Sequence, residues 1–179
     1  MTDKRAHTMA KRLVRKYGSR DPFVIAEELG IQVLMCPEFK RQKGAFRVIS
    51  NNSFIFINSN LSEEMQRLVC AHELGHAVLH RKLAVASGGM MEFELFDIND
   101  QGEYDANAFA GTLLLEDAEM MEMVRDGYDV VYIARSMGTN VNLILLKLNE
   151  MRKQGYEMNL PDLPSRKFLG EIEDNAGEL

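Results

Sequence analysis

The chain has 179 residues, 46% of them hydrophobic and 27% charged, which is enough for one domain with a substantial core. No run of about 18 uncharged apolar residues occurs, which excludes a membrane-spanning helix. The charged N-terminus has no apolar leader segment, and two cysteines are too few for a disulfide framework. We therefore expect a cytoplasmic protein.

The charge is unevenly distributed along the chain. Residues 1–50 carry 11 Lys and Arg against 5 Asp and Glu, a net charge of +6, whereas the remaining residues carry −12. The basic region could contact nucleic acid or an acidic partner, but the solvated face of an amphipathic helix is the simpler interpretation. Because the whole chain has a net charge of −6, we expect no sequence-specific binding of nucleic acid.

The hydrophobic periodicity and the turn residues predict a mostly helical α+β fold with a small sheet. Asn51 and Asn52 lie between two short apolar runs, as in a tight hairpin. The predicted elements, in chain order, are helices over 4–17 and 21–29, strands over 31–35, 45–49 and 53–58, a helix over 62–80, a long connection over 81–99, and helices over 101–115, 116–127, 129–137 and 141–154.

The predicted elements divide the chain into three parts. Residues 1–127 are expected to form the main domain. Residues 128–155 resemble a helix-turn-helix pair packed on that domain, and residues 156–179 form an acidic tail with two prolines. The early positions of the second helix of the pair are mostly apolar and contain no Arg, which disfavours reading of DNA bases.

The main chemical signal is the motif H-E-x-x-H, formed by His72, Glu73 and His76 in the long predicted helix. At about 100° per residue, His76 lies about 40° and Glu73 about 100° from His72, so all three share one side of the helix. Two imidazoles one turn apart can bind one Zn²⁺, with Glu73 as general base. A hydrogen-bonded pair of core histidines is the alternative, but burying these polar groups in an apolar helix favours the metal.

A catalytic zinc site needs a third protein ligand. His80 continues the histidine series but lies about 12 Å along the helix from His72, so we expect it only to form a hydrogen bond near the helix end. Glu103 in the next long helix is the better candidate. A capping box with Asp100 is the alternative role for Glu103.

The helix that carries Glu103 supplies further candidates. Asn107 lies one turn after Glu103 and is expected to orient a metal ligand. Ala110, Gly111 and Leu114 lie on the same side as Glu103, so this side carries small residues and could approach the histidine helix closely. Asp105 is expected to point away from the site into solvent.

Three segments resemble the ImmA/IrrE family of metallopeptidases: HELGHAVLH at 72–80, EYDANAFAGTLL at 103–114 and DPFVIAEELGI at 21–31. The likeness covers about residues 10–150. Many relatives have Glu at the position of Asp105. The resemblance implies that His72, His76 and Glu103 bind one Zn²⁺ per chain and that Glu73 is the catalytic base.

The resemblance also implies a fold and a function. It implies a zincin-like domain of helices around a small antiparallel sheet, in which an edge strand at 53–58 could hold an extended peptide. It implies a bacterial or phage-encoded endopeptidase that acts in the cytoplasm and cleaves a helix-turn-helix repressor of a mobile element, prophage or stress regulon. His80 and Tyr104 are candidates for contacts with the substrate or the oxyanion, and an activating protein is a further candidate partner. The alternative function is an antirepressor that binds its partner without cutting it.

Overall fold

The computed structural model describes residues 4–87, 90–92 and 101–158. In this part of the chain, helices predominate and a small sheet packs against them, so the α+β prediction is confirmed. The elements are α1 (Lys4–Tyr17), α2 (Pro22–Glu28), β1 (Gln32–Cys36), β2 (Gly44–Ile49), β3 (Asn52–Asn58), α3 (Glu63–Leu79), α4 (Arg81–Ser87), β4 (Met90–Glu92), α5 (Gln101–Leu114), α6 (Asp117–Arg125), α7 (Val130–Ser136) and α8 (Val141–Lys153).

Short-range capping sets several of the helix ends. Asp21 accepts a hydrogen bond from the backbone N–H of Phe23 at the start of α2, ahead of Pro22. Ser62 accepts one from Met65 at the start of α3, where two glutamates also favour the positive end of the helix dipole. These signals are local, which explains why the sequence places most helices within one or two residues.

The sheet is mixed, with strand order β1-β3-β2-β4. Strands β2 and β3 form the expected hairpin, but its turn residues are Ser50 and Asn51, because Asn52 already belongs to β3. Ser50 and Asn51 have the positive φ (49° and 66°) that a tight turn requires. Strand β1, however, pairs in parallel with β3, so the prediction of an antiparallel sheet is wrong in this detail. The predicted edge strand at 53–58 is also wrong, because β3 lies between β1 and β2.

The segment over 81–99 differs from the predicted long connection. Helix α4 begins directly after α3, and the three-residue strand β4 pairs with β2. Both elements are too short for hydrophobic periodicity to reveal them. Residues 93–100, including Asp100, lie outside the described residues, as do residues 159–179 of the predicted tail.

Helix α3 lies at the centre of the core. It packs against α2, α5 and two strands of the sheet, and it is buried along its second half. Leu143, Ile144 and Leu148 of α8 belong to the same hydrophobic cluster as the apolar residues of α3. The division of the chain at residue 127 stays a prediction.

The exposed side of α1 agrees with the interpretation of the basic N-terminal region as an amphipathic helix. Helix α1 exposes six Lys and Arg side chains and buries its small apolar side. Across the described ranges, no helix combines the length and the apolar character needed to span a bilayer.

Candidate metal centre

Three polar residues of the H-E-x-x-H motif lie in the most buried part of α3. His72 and Glu73 are 0% exposed and His76 is 1% exposed. Buried ionisable side chains are costly unless neighbouring groups satisfy them. The interior therefore has to provide partners for all three.

A glycine allows α5 to approach this part of α3. A Cβ atom on Gly75 would lie 3.0 Å from the Cα atom of Ala106 and 3.2 Å from its carbonyl oxygen. Only a residue without a side chain allows the two helices to approach so closely. Gly111, which was expected to face the histidine helix, instead faces Leu143 and Lys147 of α8. The expected close approach of α5 to the histidine helix is therefore present, but Gly75 of α3 allows it and Gly111 of α5 does not take part.

The approach of α5 brings Glu103 to the two histidines. Its carboxylate oxygens lie 3.2 Å from Nε2 of His72 and 3.4 Å from Nε2 of His76. The two Nε2 atoms are 2.9 Å apart. Within the described residues, this is the group of three His, Cys, Asp or Glu side chains that could hold a metal ion.

The other nitrogen of each imidazole contacts a neighbouring side chain. Nδ1 of His72 lies 2.9 Å from Oδ1 of Asn107, which accepts its proton and leaves Nε2 of a neutral ring with a lone pair. Nδ1 of His76 lies 3.3 Å from Nδ1 of His80. Both rings are thus oriented with Nε2 towards Glu103.

The ionisation of the group agrees with this orientation. Burial lowers the pKa of His76 to about 4, against the opposing effect of Glu103, so its ring is neutral near pH 7. Burial would raise the pKa of Glu103, but the nearby imidazoles of His72 and His76 outweigh burial and keep that pKa well below its usual range. The carboxylate is therefore ionised.

This donor set fits a divalent transition metal. Two imidazole nitrogens and a carboxylate, on a helix pair, are the ligand types that zinc takes in hydrolytic enzymes. Three electron-rich atoms, two on buried histidines and one on the partly buried Glu103, converge, and a cation would compensate their mutual repulsion. A pair of core histidines bonded only to each other would not need the carboxylate.

Glu73 faces the sheet at β2. A Cβ atom on Gly44 would lie 2.8 Å from Oε1 of Glu73 and 2.5 Å from Cγ1 of Val69. Glycine at the start of β2 therefore makes room for the glutamate. The sequence did not indicate this contact, because Gly44 has no motif of its own.

Three residues around the metal centre, His80, Asp105 and Tyr104, agree only in part with the predictions. His80 forms the expected contact at the helix end, with His76. Asp105 was expected to be solvated, but its side chain is only 14% exposed and one oxygen lies 3.8 Å from Nε2 of His80. The hydroxyl of Tyr104 contacts Glu150 and Lys153, so it points towards α8.

A mostly helical α+β domain with H-E-x-x-H on a buried helix and a carboxylate from the next long helix defines a zincin-like domain. Comparison with known families agrees with this class. The model of the peptidase M78 family, described as the IrrE N-terminal-like domain, matches residues 26–149. The chain therefore belongs to this family, and the resemblance to ImmA/IrrE proteins is confirmed.

A curated relative comes from a bacteriophage. The chain is 34% identical over 143 residues to "Uncharacterized immunity region protein 2" of Bacillus phage phi105. The matched region covers 79% of this chain and 89% of the phage protein.

Proposed function

We propose that this protein is a zinc-dependent endopeptidase that cleaves a helix-turn-helix repressor in the bacterial cytoplasm and thereby relieves repression. The observation that supports the peptidase most directly is the convergence of His72, His76 and Glu103 beside the buried Glu73. The membership in a peptidase family and the phage relative named for an immunity region support a role in the control of a mobile element.

Each residue has a defined role in this proposal. His72, His76 and Glu103 would hold one Zn²⁺, and Asn107 would fix the ring of His72 through Nδ1. The bound ion would polarise the scissile carbonyl and make water more acidic. Glu73 would accept a proton from the attacking water and deliver it to the departing amine.

A substrate peptide would bind as an added strand. Strand β3 is paired on both sides, so of the described strands only β1 and β4 can present an edge. We assign the peptide to β4, because β4 pairs with β2, and the first residue of β2, Gly44, lies against Glu73. A peptide along β4 would therefore pass near the catalytic residues.

The test combines metal analysis with cleavage of the repressor encoded beside this gene. The zinc-loaded chain and the repressor are incubated with and without a chelator, and the fragments are identified by mass spectrometry. We expect about one zinc per chain and defined fragments that disappear with the chelator. Glu73→Gln should keep the zinc and lower cleavage by a factor of about 10²–10⁴, as expected for loss of a general base.

Glu64→Gln is the matched control, because Glu64 lies on the exposed first turn of the same helix. It should cleave like the wild type. If Glu73→Gln still relieves repression in cells while the repressor stays intact, the non-catalytic antirepressor is the correct reading. A wild-type chain that binds no zinc would refute the proposal.

A further inference from the structure

A second buried polar group joins three helices next to the metal centre. Glu150 of α8 is 0% exposed, and one of its oxygens lies 2.9 Å from Nε2 of His7 in α1. Its other oxygen accepts a hydrogen bond from the hydroxyl of Tyr104 in α5 and lies 2.7 Å from Nζ of Lys153. His7 also lies 2.6 Å from Oγ1 of Thr112, two turns further along α5. Helix α5 is therefore held at two points.

The Tyr104 contact acts on the first turn of α5. Glu103 is the third residue of this helix, in the first turn, where backbone N–H groups have no acceptor within the helix. The preceding residue is Gly102, and glycine is a poor helix former. A side-chain contact from the residue next to Glu103 restrains the turn that carries the carboxylate.

The contacts of Tyr104 restrain the first turn of α5 strongly for a single side chain. The hydroxyl of Tyr104 is hydrogen-bonded to an ionised, buried carboxylate, and Nζ of Lys153 lies 2.6 Å from the same hydroxyl. Hydrogen bonds to charged groups are the stronger kind in proteins. The ammonium group also lies 5.0 Å from the centre of the Tyr104 ring.

We propose that Tyr104 and Glu150 are positioning residues, which fix the first turn of α5 so that Glu103 meets His72 and His76. The inference rests on the proposed zinc site. Both residues act through α5, because the hydroxyl of Tyr104 contacts Glu150 and Lys153 of α8. Their effect is to reduce the number of positions that Glu103 occupies before the metal binds, which raises the metal affinity.

The experiment measures zinc affinity by competition with a chromophoric chelator. The variants are Tyr104→Phe, which removes only the hydroxyl, and Thr112→Val, which removes a hydroxyl from the other end of the same network. We expect Tyr104→Phe to weaken zinc binding about tenfold, the lower end of the range for residues that support metal ligands. Thr112→Val should keep the wild-type affinity, and Glu150→Gln, which keeps an oxygen for Tyr104, should lie between the two.

Hydrogen exchange of the metal-free chain tests the restraint without zinc. The amides of residues 105–107 report on the first turn, because their acceptors within the helix are the carbonyls of residues 101–103. Tyr104→Phe should increase exchange in residues 105–107 more than in residues 108–114, and Thr112→Val should not. Wild-type affinity in Tyr104→Phe, or equal losses in Tyr104→Phe and Thr112→Val, would overturn the inference while leaving the zinc site intact. A wild-type chain without zinc would instead refute the proposed function and, with it, this inference.

Discussion

Gly75→Ala should destabilise the protein, although alanine is the better helix former. In a helix interior, replacing glycine by alanine normally stabilises by about 1 kcal/mol. At Gly75, however, the new Cβ would lie 3.0 Å from the Cα atom of Ala106 and 3.3 Å from Cδ1 of Phe109. The nearest atom belongs to the backbone of a packed helix and cannot rotate away.

The expected magnitude follows from these distances. Ordinary van der Waals contact begins at 3.4 Å, so α3 and α5 must separate locally by a few tenths of an ångström. Overpacking of this kind costs about 1–3 kcal/mol, and the middle of that range, about 2 kcal/mol, exceeds the gain in helix propensity. We expect a net loss of about 1 kcal/mol and a weaker metal site, because the same separation moves Glu103 away from the histidines.

Gly111→Ala is the matched control on the facing helix. Its new Cβ would lie 3.6 Å from Leu143 and 3.7 Å from Lys147, which is ordinary contact. Here the propensity gain should remain, and we expect a stabilisation of about 1 kcal/mol. Urea unfolding of the metal-free variants measures both changes. Equal stabilisation by the two substitutions would show that the α3–α5 contact is not as close as described.

Three further predictions test other contacts. Gly44→Ala should lower the free energy of unfolding by about 1–3 kcal/mol, because the new Cβ overpacks against Val69. In a double-mutant cycle, Val69→Ala should recover part of that loss, and additive effects of the two substitutions would contradict the contact. Asn107→Ala should lower zinc affinity about 10–100-fold in the chelator assay, whereas unchanged binding would remove its role in orienting His72. Burial alone would raise the pKa of Glu150, but its contacts with His7, Lys153 and Tyr104 outweigh burial and lower that pKa from 4.5 to about 2. The ionised form of Glu150 therefore stabilises the fold above pH 4.5, and this contribution is lost as the pH falls through about 2. The stability difference between the wild type and Glu150→Gln should therefore narrow between about pH 5 and pH 2, and a constant difference in urea midpoints would count against it.

The sequence was most informative where local rules apply. Helix ends follow from caps such as Asp21 and Ser62, and the side of α3 that carries His72 and His76 follows from the helix period. The choice of Glu103 as the third member also came from the sequence, through the small residues on its side of the helix and the resemblance of the segment at 103–114 to a known family. These inferences need only a few neighbouring residues or a recurring motif.

The sheet shows where such rules fail. Strand β3 contains a run of four apolar residues, Phe54 to Ile57, which is compatible with an edge strand or a central one. Its sequence therefore could not show that β1 lies beside it. The parallel pairing joins residues more than twenty positions apart, for example Gln32 with Phe54. Strand β4 is too short to have a pattern and exists through its pairing with β2.

The sequence by itself determined the ligand types, their spacing on α3 and the elements that carry them, because these properties depend on residues close together along the chain. Only the tertiary structure decided that Gly75, not Gly111, allows the close approach of α5, that Gly44 faces Glu73, and that Glu150 joins α1, α5 and α8. Each of these contacts joins distant segments, and its partner depends on how whole helices and strands pack against one another.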